Sequence, residues 1–276
     1  MFLRFDAELN GRKFSEISPH VLLRDIVEIP AAIDIRTTQR AGRYGQTAPV
    51  KKRLSLSIRL VYRIREYDIV KRAELRNKVA EWAQDGGWLT INTRPGLRLR
   101  VVCDTPPAMD SSLRWTQDLS FDLIAYTMPY WETVEEQNVT FNTAWSDSHQ
   151  MYYGSNVIIP DGNVDKVPVT CFITNNSTDG TPLTNLRIVV DETAMEFEGM
   201  NIKSGGYLGG WFSISYNDDD VQEIRNLRDN VDTSLLKFRT AESNDDLLAR
   251  SGMNNQIQVY SNTPITATFY ARGRWV

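Results

Sequence analysis

Leu54, Leu56, Ile58, Leu60, Tyr62 and Ile64 alternate with Arg53, Ser55, Ser57, Arg59, Val61 and Arg63, the two-residue period of a strand with one buried face. The pattern predicts one long strand, Arg53 to Arg65, with an arginine-bearing outer face. A second alternation sets Leu97, Leu99, Val101 and Cys103 against Arg98, Arg100, Val102 and Asp104, and follows the turn Thr93-Arg94-Pro95-Gly96. A third runs through Leu113, Trp115, Gln117, Leu119, Phe121, Leu123 and Ala125, with Arg114, Asp118 and Asp122 on the other side. Three such strands can share one core.

Between the first two lies a helical pattern from Asp68 to Asp85. Asp68 is a capping residue and Gly86-Gly87 a stop. Projected at about 100° per residue, Leu75, Val79, Trp82 and Ala83 fall on one side and Glu74, Lys78, Glu81 and Asp85 on the other. Arg72 and Arg76 intrude on the apolar arc and are expected to snorkel at its edge or to face another subunit.

After Pro129-Tyr130-Trp131 the texture changes. Residues 132–138 read as an acidic, polar linker, and short β-rich runs follow at Val169–Thr174, Leu186–Val190, Met195–Gly199, Leu208–Tyr216, Ile257–Tyr260 and Ile265–Tyr270. Turn chemistry separates them, as in Pro160-Asp161-Gly162, Asn175-Asn176-Ser177, Asp179-Gly180 and Gly205-Gly206. Many short strands at this spacing predict a sandwich. The 276 residues therefore divide into a domain at 1–131, the linker, and a second domain at 139–276.

Charge sharpens that division. Up to Trp131 there are 21 Lys+Arg against 15 Asp+Glu, net +6; beyond it there are 10 against 20, net −10. A basic half and an acidic half point to different surroundings or to complementary contacts between subunits. Charges interrupt the apolar residues at the N-terminus, and no apolar run approaches the roughly 20 residues of a spanning helix, so neither a cleaved signal nor a membrane partner is expected. The two cysteines, Cys103 and Cys171, fall on alternating apolar positions and read as free thiols rather than a disulfide framework.

Catalytic chemistry is sparse. His20 and His149 are the sole imidazoles, and neither lies near a nucleophile motif or a Cys/His ligand set. Asp218-Asp219-Asp220 lacks the spaced ligands of a calcium loop and reads as a solvated turn. Arg40-Ala41-Gly42-Arg43-Tyr44-Gly45-Gln46 has no P-loop Lys-Ser/Thr pair and reads as a loop between strands. Phe269, Tyr270, Arg272, Arg274 and Trp275 resemble a stacking surface in composition alone, and a terminal strand explains them. No catalytic residue, metal ligand or cofactor is expected, and the chain does not read as an enzyme.

The ordered set in the first half resembles the N-terminal domain of the distal tail (Dit) family of long-tailed, siphovirus-type bacteriophages or prophages. The resemblance runs from Gly42-Arg43-Tyr44-Gly45 through the arginine-decorated strand, the helix ending near Trp82, and Trp88-Leu89-Thr90-Ile91. It continues through Pro95-Gly96, Leu97 to Val102, Leu119-Ser120-Phe121-Asp122-Leu123 and Pro129-Tyr130-Trp131. The acidic half resembles the galectin-like β-sandwich that follows in many Dit proteins, down to Ser251-Gly252-Met253-Asn254-Asn255-Gln256-Ile257. The resemblance implies a mainly β fold: a β-rich belt domain with one α-helix, then a galectin-like sandwich. It also implies a structural virion protein of the tail tip or baseplate, assembled in the host cytoplasm. Partners would be itself in a hexameric ring, the tail tube protein, the tail-tip hub protein, and receptor-binding or baseplate proteins, with DNA passing through without being tightly held. No long inserted carbohydrate-binding module of the kind some relatives carry is present in the resemblance.

Candidate interface residues are Arg40, Arg43, Tyr44, Arg53, Arg59, Arg63 and Arg65. The arginine excess is expected to meet carboxylates of neighbouring protein surfaces or to stay solvated. A second class of function, carbohydrate binding in host-surface adhesion, rests on the aromatics of the acidic half: Trp145, Tyr152, Tyr153, Tyr207, Trp211 and Tyr216. A sandwich fold alone does not establish it.

Overall fold

A computed structural model describes residues 4–36, 50–105, 107, 118–204, 210–217, 221–228 and 231–276. The chain divides into two compact units, Met1–Glu132 with Val276, and Thr133–Trp275.

In the first unit the chain runs β1 (Ala7–Leu9), β2 (Arg12–Lys13), β3 (Val21–Ile29), β4 (Ile33–Arg36), β5 (Val50–Arg53), β6 (Leu56–Ile64), α1 (Ile69–Gln84), β7 (Gly87–Ile91), β8 (Leu97–Thr105) and β9 (Leu119–Ala125). The main antiparallel sheet is ordered β2-β1-β7-β8-β9-β6-β3. The predicted alternations place Ile58, Leu60, Tyr62, Leu99, Val101, Phe121 and Leu123 in the core. Residues 113–117 of the third alternation lie outside the described residues.

The first alternation is two strands rather than one. β5 ends at Arg53 and β6 starts at Leu56, because Leu54 N donates to the Ala32 carbonyl (2.8 Å) where the chain leaves one sheet for the next. β5 pairs with β4 in a separate two-stranded ribbon.

α1 begins as the sequence predicts, with the Asp68 carboxylate accepting from Val70 N (2.8 Å) and Lys71 N (3.3 Å). It ends against Gly86, at φ +60°, and Gly87, at φ +126°. A side chain at Gly86 would meet the Val101 carbonyl at 2.5 Å, so the stop also requires glycine for close approach. Val79, Trp82 and Ala83 are buried. Trp82 meets Phe14 and Phe121 edge-on, and Tyr62 packs against the same two rings. Arg76 does not snorkel: it is buried with this cluster. Burial pushes the Tyr62 phenol pKa upward, while the charge of Arg76 pulls it the other way. Arg72 turns back to the Glu66 carbonyl (3.0 Å), so it ties down the chain ahead of the helix.

The expected linker, 132–138, contributes to strands at both ends: β10 (Trp131–Thr133) and β11 (Gln137–Asn142). Glu132 is buried, its Oε1 accepting from Arg98 Nε (2.8 Å) and Nη2 (2.5 Å), and the Arg98 guanidinium lies 3.9 Å over the Trp88 ring. The buried pair is what removes Glu132 from a solvated linker.

The second unit continues with β12 (Ala144–Ser146), β13 (Met151–Ile158), β14 (Lys166–Asn175), β15 (Leu186–Val190), β16 (Thr193–Phe197), β17 (Trp211–Tyr216), β18 (Gln222–Arg228), β19 (Val231–Ser234), β20 (Leu248–Arg250), β21 (Asn255–Ser261), β22 (Ile265–Ala271) and β23 (Arg274–Trp275). Two sheets form the sandwich, β11-β22-β14-β17-β18-β19 and β12-β13-β21-β15-β16. Their facing sides share one core, with Val169, Cys171, Ile173, Phe212 and Phe269 from one and Ile188, Met195, Phe197, Ile257 and Val259 from the other. Cys171 is buried and its thiol pKa is pushed up to about 12, whereas Cys103 is half-exposed; both are free. The C-terminal aromatics serve packing: Phe269 stacks on Phe141, and Arg272 Nη1 donates to the Thr133 and Val134 carbonyls.

Candidate functional site

Two surfaces gather exposed side chains capable of recognition, one in each unit. In the first unit, Arg59 and Arg63 lie on the outer face of β6, where the register sets Arg59 directly opposite Asp122 of β9. Arg59 binds Asp122 in a two-pronged contact, Nε to Oδ1 at 2.8 Å and Nη2 to Oδ2 at 3.0 Å, and Arg63 Nε reaches Asp118 Oδ1 at 2.6 Å. The bidentate contact lowers the Asp122 carboxyl pKa. These two arginines therefore already hold carboxylates of their own chain, because strand pairing placed Asp118 and Asp122 on the same face.

Arg53 closes β5 opposite Ile33, and exposed Arg65 follows β6, its backbone N–H donating to the His20 carbonyl at 2.8 Å. Arg40, Arg43 and Tyr44, like the glycines beside them, lie outside the described residues. The ribbon that flanks them is informative by itself: Ile33 and Ile35 are 51% and 56% exposed. Among the described residues no third strand joins β4 and β5. A two-stranded ribbon with bare isoleucines has little of its own to bury.

In the second unit a cleft of about 530 Å³ opens on the β12-β13-β21-β15-β16 sheet. Its lining includes a row fixed by register, Tyr260 of β21 opposite Arg187 of β15 and Arg187 opposite Glu196 of β16, and Tyr153 of β13 opposes Tyr260 beside it. Arg187 Nε contacts Glu196 Oε1 at 2.9 Å, and its guanidinium carbon lies 5.8 Å from the Tyr260 ring centre. Two residues further along the same strands, Met151, Asn262, Asn185 and Glu198 form the next row of the lining. His149 packs on both Tyr153 (4.8 Å) and Tyr260 (5.3 Å) from the β12–β13 turn. That turn is held by Gln150 at φ +51° and by Trp145 Nε1 donating to Asp147 Oδ1 (2.8 Å). Trp145 meets Tyr152 edge-on and is 58% exposed at the cleft.

Of the six aromatics singled out in the sequence, Trp145 lines the cleft, while Tyr152 packs against Trp145 and Tyr153 against Tyr260 beside it. Trp211 and Tyr216 belong to the other sheet, on β17, and Tyr207 lies outside the described residues. Arg187, Glu196 and Tyr260 were missed, since only cross-strand register brings them side by side. His149 is an exposed turn residue whose ring packs on the tyrosine pair. Among the described residues no three His, Cys, Asp or Glu side chains could hold a metal, and no helix is long and apolar enough to cross a membrane. Asp218–Asp220 lie outside the described residues.

The Dit protein of phage SPP1, described as a paradigm of the hub adsorption apparatus in phages that infect Gram-positive bacteria, superposes with a TM-score of 0.63. The alignment spans 97% of this chain and 98% of that one at 10% identity. The fold is that of a Dit protein. A chain of the phage P2 baseplate in its activated conformation with calcium also matches over 99% and 98% of the two chains, at 9% identity and a TM-score of 0.48. No protein-family model and no curated protein sequence matches. At 10% identity the likeness to the SPP1 Dit protein lies in the path of the backbone, and it extends over both units.

Proposed function

We propose that this chain is a structural subunit of a phage tail tip, a Dit-type protein that closes into a hexameric ring between the tail tube and the tail-tip hub. Its place is the distal end of the virion's tail, where the genome passes through the ring's channel without being gripped. Tail tube and hub proteins are the direct partners, with receptor-binding or baseplate proteins attached further out. The role is one of assembly rather than catalysis. The observation that carries this reading is the whole-chain likeness to the SPP1 Dit protein at a TM-score of 0.63, which takes in both units rather than one widespread sandwich. The exposed isoleucines of the β4–β5 ribbon supply an apolar contact of the kind a head-to-tail ring needs, and Arg40, Arg43, Tyr44, Arg53 and Arg65 are proposed from the sequence as further interface residues.

Electron microscopy of the purified full-length chain tests the reading. Closed rings with sixfold symmetry are expected, and a double Ile33→Glu, Ile35→Glu variant should give monomers that keep the native near-UV circular dichroism. A chain that stays monomeric as its concentration is raised, with no closed rings on the grid, overturns the ring.

A further inference from the structure

We infer that the cleft on the β12-β13-β21-β15-β16 sheet is a binding site for a neutral saccharide, about a disaccharide in size. The inference concerns the second unit and stands apart from the ring, so either can fail without the other.

Four observations carry it. The first is amphipathy: one flank is made of Trp145, Met151 and the His149–Tyr260 pair, while the floor presents the Arg187–Glu196 pair. A pyranose has the same division, with C–H bonds of slight positive charge on one face, suited to an aromatic ring, and hydroxyls around its rim. The second is the state of the polar pair. The contact at 2.9 Å joins Arg187 Nε to Glu196 Oε1, and a guanidinium carries further N–H donors and a carboxylate a second acceptor oxygen. Adjacent hydroxyls, each a donor and an acceptor, are what such a pair recognises.

The third observation is size, since about 530 Å³ falls within the range of small-molecule sites. The fourth is charge. Glu196 and Glu198 outnumber Arg187 at the lining, in a half of the chain that carries −10 overall. A phosphate, a nucleic acid or an acidic sugar meets repulsion there, whereas an uncharged ligand does not. The site is also rigid before anything binds, because its floor comes from four paired strands and its flank from a turn with internal hydrogen bonds.

Saturation-transfer difference NMR with the full-length chain decides the matter, using lactose, maltose, cellobiose and N,N′-diacetylchitobiose as neutral probes and a chondroitin disaccharide as the anionic one. At least one neutral probe should receive saturation at its ring C–H protons, with a saturable Kd on the order of 1 mM. Arg187→Met and Glu196→Gln should each weaken that binding by about tenfold or more while leaving near-UV circular dichroism unchanged. Glu196→Gln keeps the shape of the floor and serves if Arg187→Met disturbs folding. No saturable signal from any neutral probe, a signal that survives both substitutions, or a signal from the anionic disaccharide alone each overturns the proposal. So does a Trp145 that is shielded from oxidation by another tail protein and by none of the sugars, which would make the cleft a protein-docking surface.

Discussion

Asp179 shows how much a single carboxylate can organise at a turn. It accepts from the Ser177 hydroxyl and from Thr181 N (3.0 Å), and these bonds hold its pKa at about 2. Asn175, buried four residues earlier, donates to the Thr181 and Ile202 carbonyls at 2.8 and 3.0 Å and accepts from Ser177 N at 2.9 Å. The sign of the pH effect follows from the depressed pKa. The stabilisation is complete above the ordinary value of 3.8 and is lost as pH falls from there through about 2. Comparing thermal midpoints of the native chain and Asp179→Asn over that range checks this. The native chain should be the more stable at neutral pH, and the gap should close as the pH drops. A gap that does not change with pH would place the stabilisation in packing rather than in the ionised carboxylate.

Among the elements, α1 is the one whose limits were most plainly written in the sequence, because both of its ends use residues with a specific chemistry. Asp68→Ala leaves Val70 N and Lys71 N without their acceptor and should cost about 1 kcal/mol. A lower urea midpoint at an unchanged slope is the expected readout, and an unaltered midpoint would mean that water replaces the cap without loss. Central strands were equally legible: β15 spans Leu186–Val190 as predicted, since both its neighbours and the core read the same alternation. Edge strands were not. β11, with its alternately half-buried and exposed residues, begins within the expected linker, and β19, at the other end of the same sheet, carries mostly polar residues. A strand with one neighbour needs few apolar residues, so periodicity had little to register. The cleft was illegible for a different reason. Its lining joins residues 187, 196 and 260, and their proximity is a property of strand order rather than of local pattern.

On the scale of the whole molecule, the uneven charge bears on what the proposed ring must not do. Residues 1–131 carry +6 and residues 132–276 carry −10, so the basic half resembles a surface that might neutralise phosphates. Several of its arginines are already committed. Arg59 and Arg63 hold Asp122 and Asp118, Arg94 Nη2 holds Glu28 Oε2 at 2.8 Å, and Arg98 holds buried Glu132. An arginine paired with a carboxylate must give up that partner before it can displace counterions from DNA, and counterion release supplies nearly all of non-specific affinity. Under the proposed ring reading, a conduit that bound duplex DNA strongly would also retard the genome passing through it. Filter binding of duplex DNA to the full-length chain at near-physiological salt should therefore show no affinity tighter than about 1 μM. Submicromolar binding that falls steeply with added salt would mean that the ion pairs open toward phosphate. The arginines of β6 would then be a DNA-facing surface rather than cross-strand ties within the sheet.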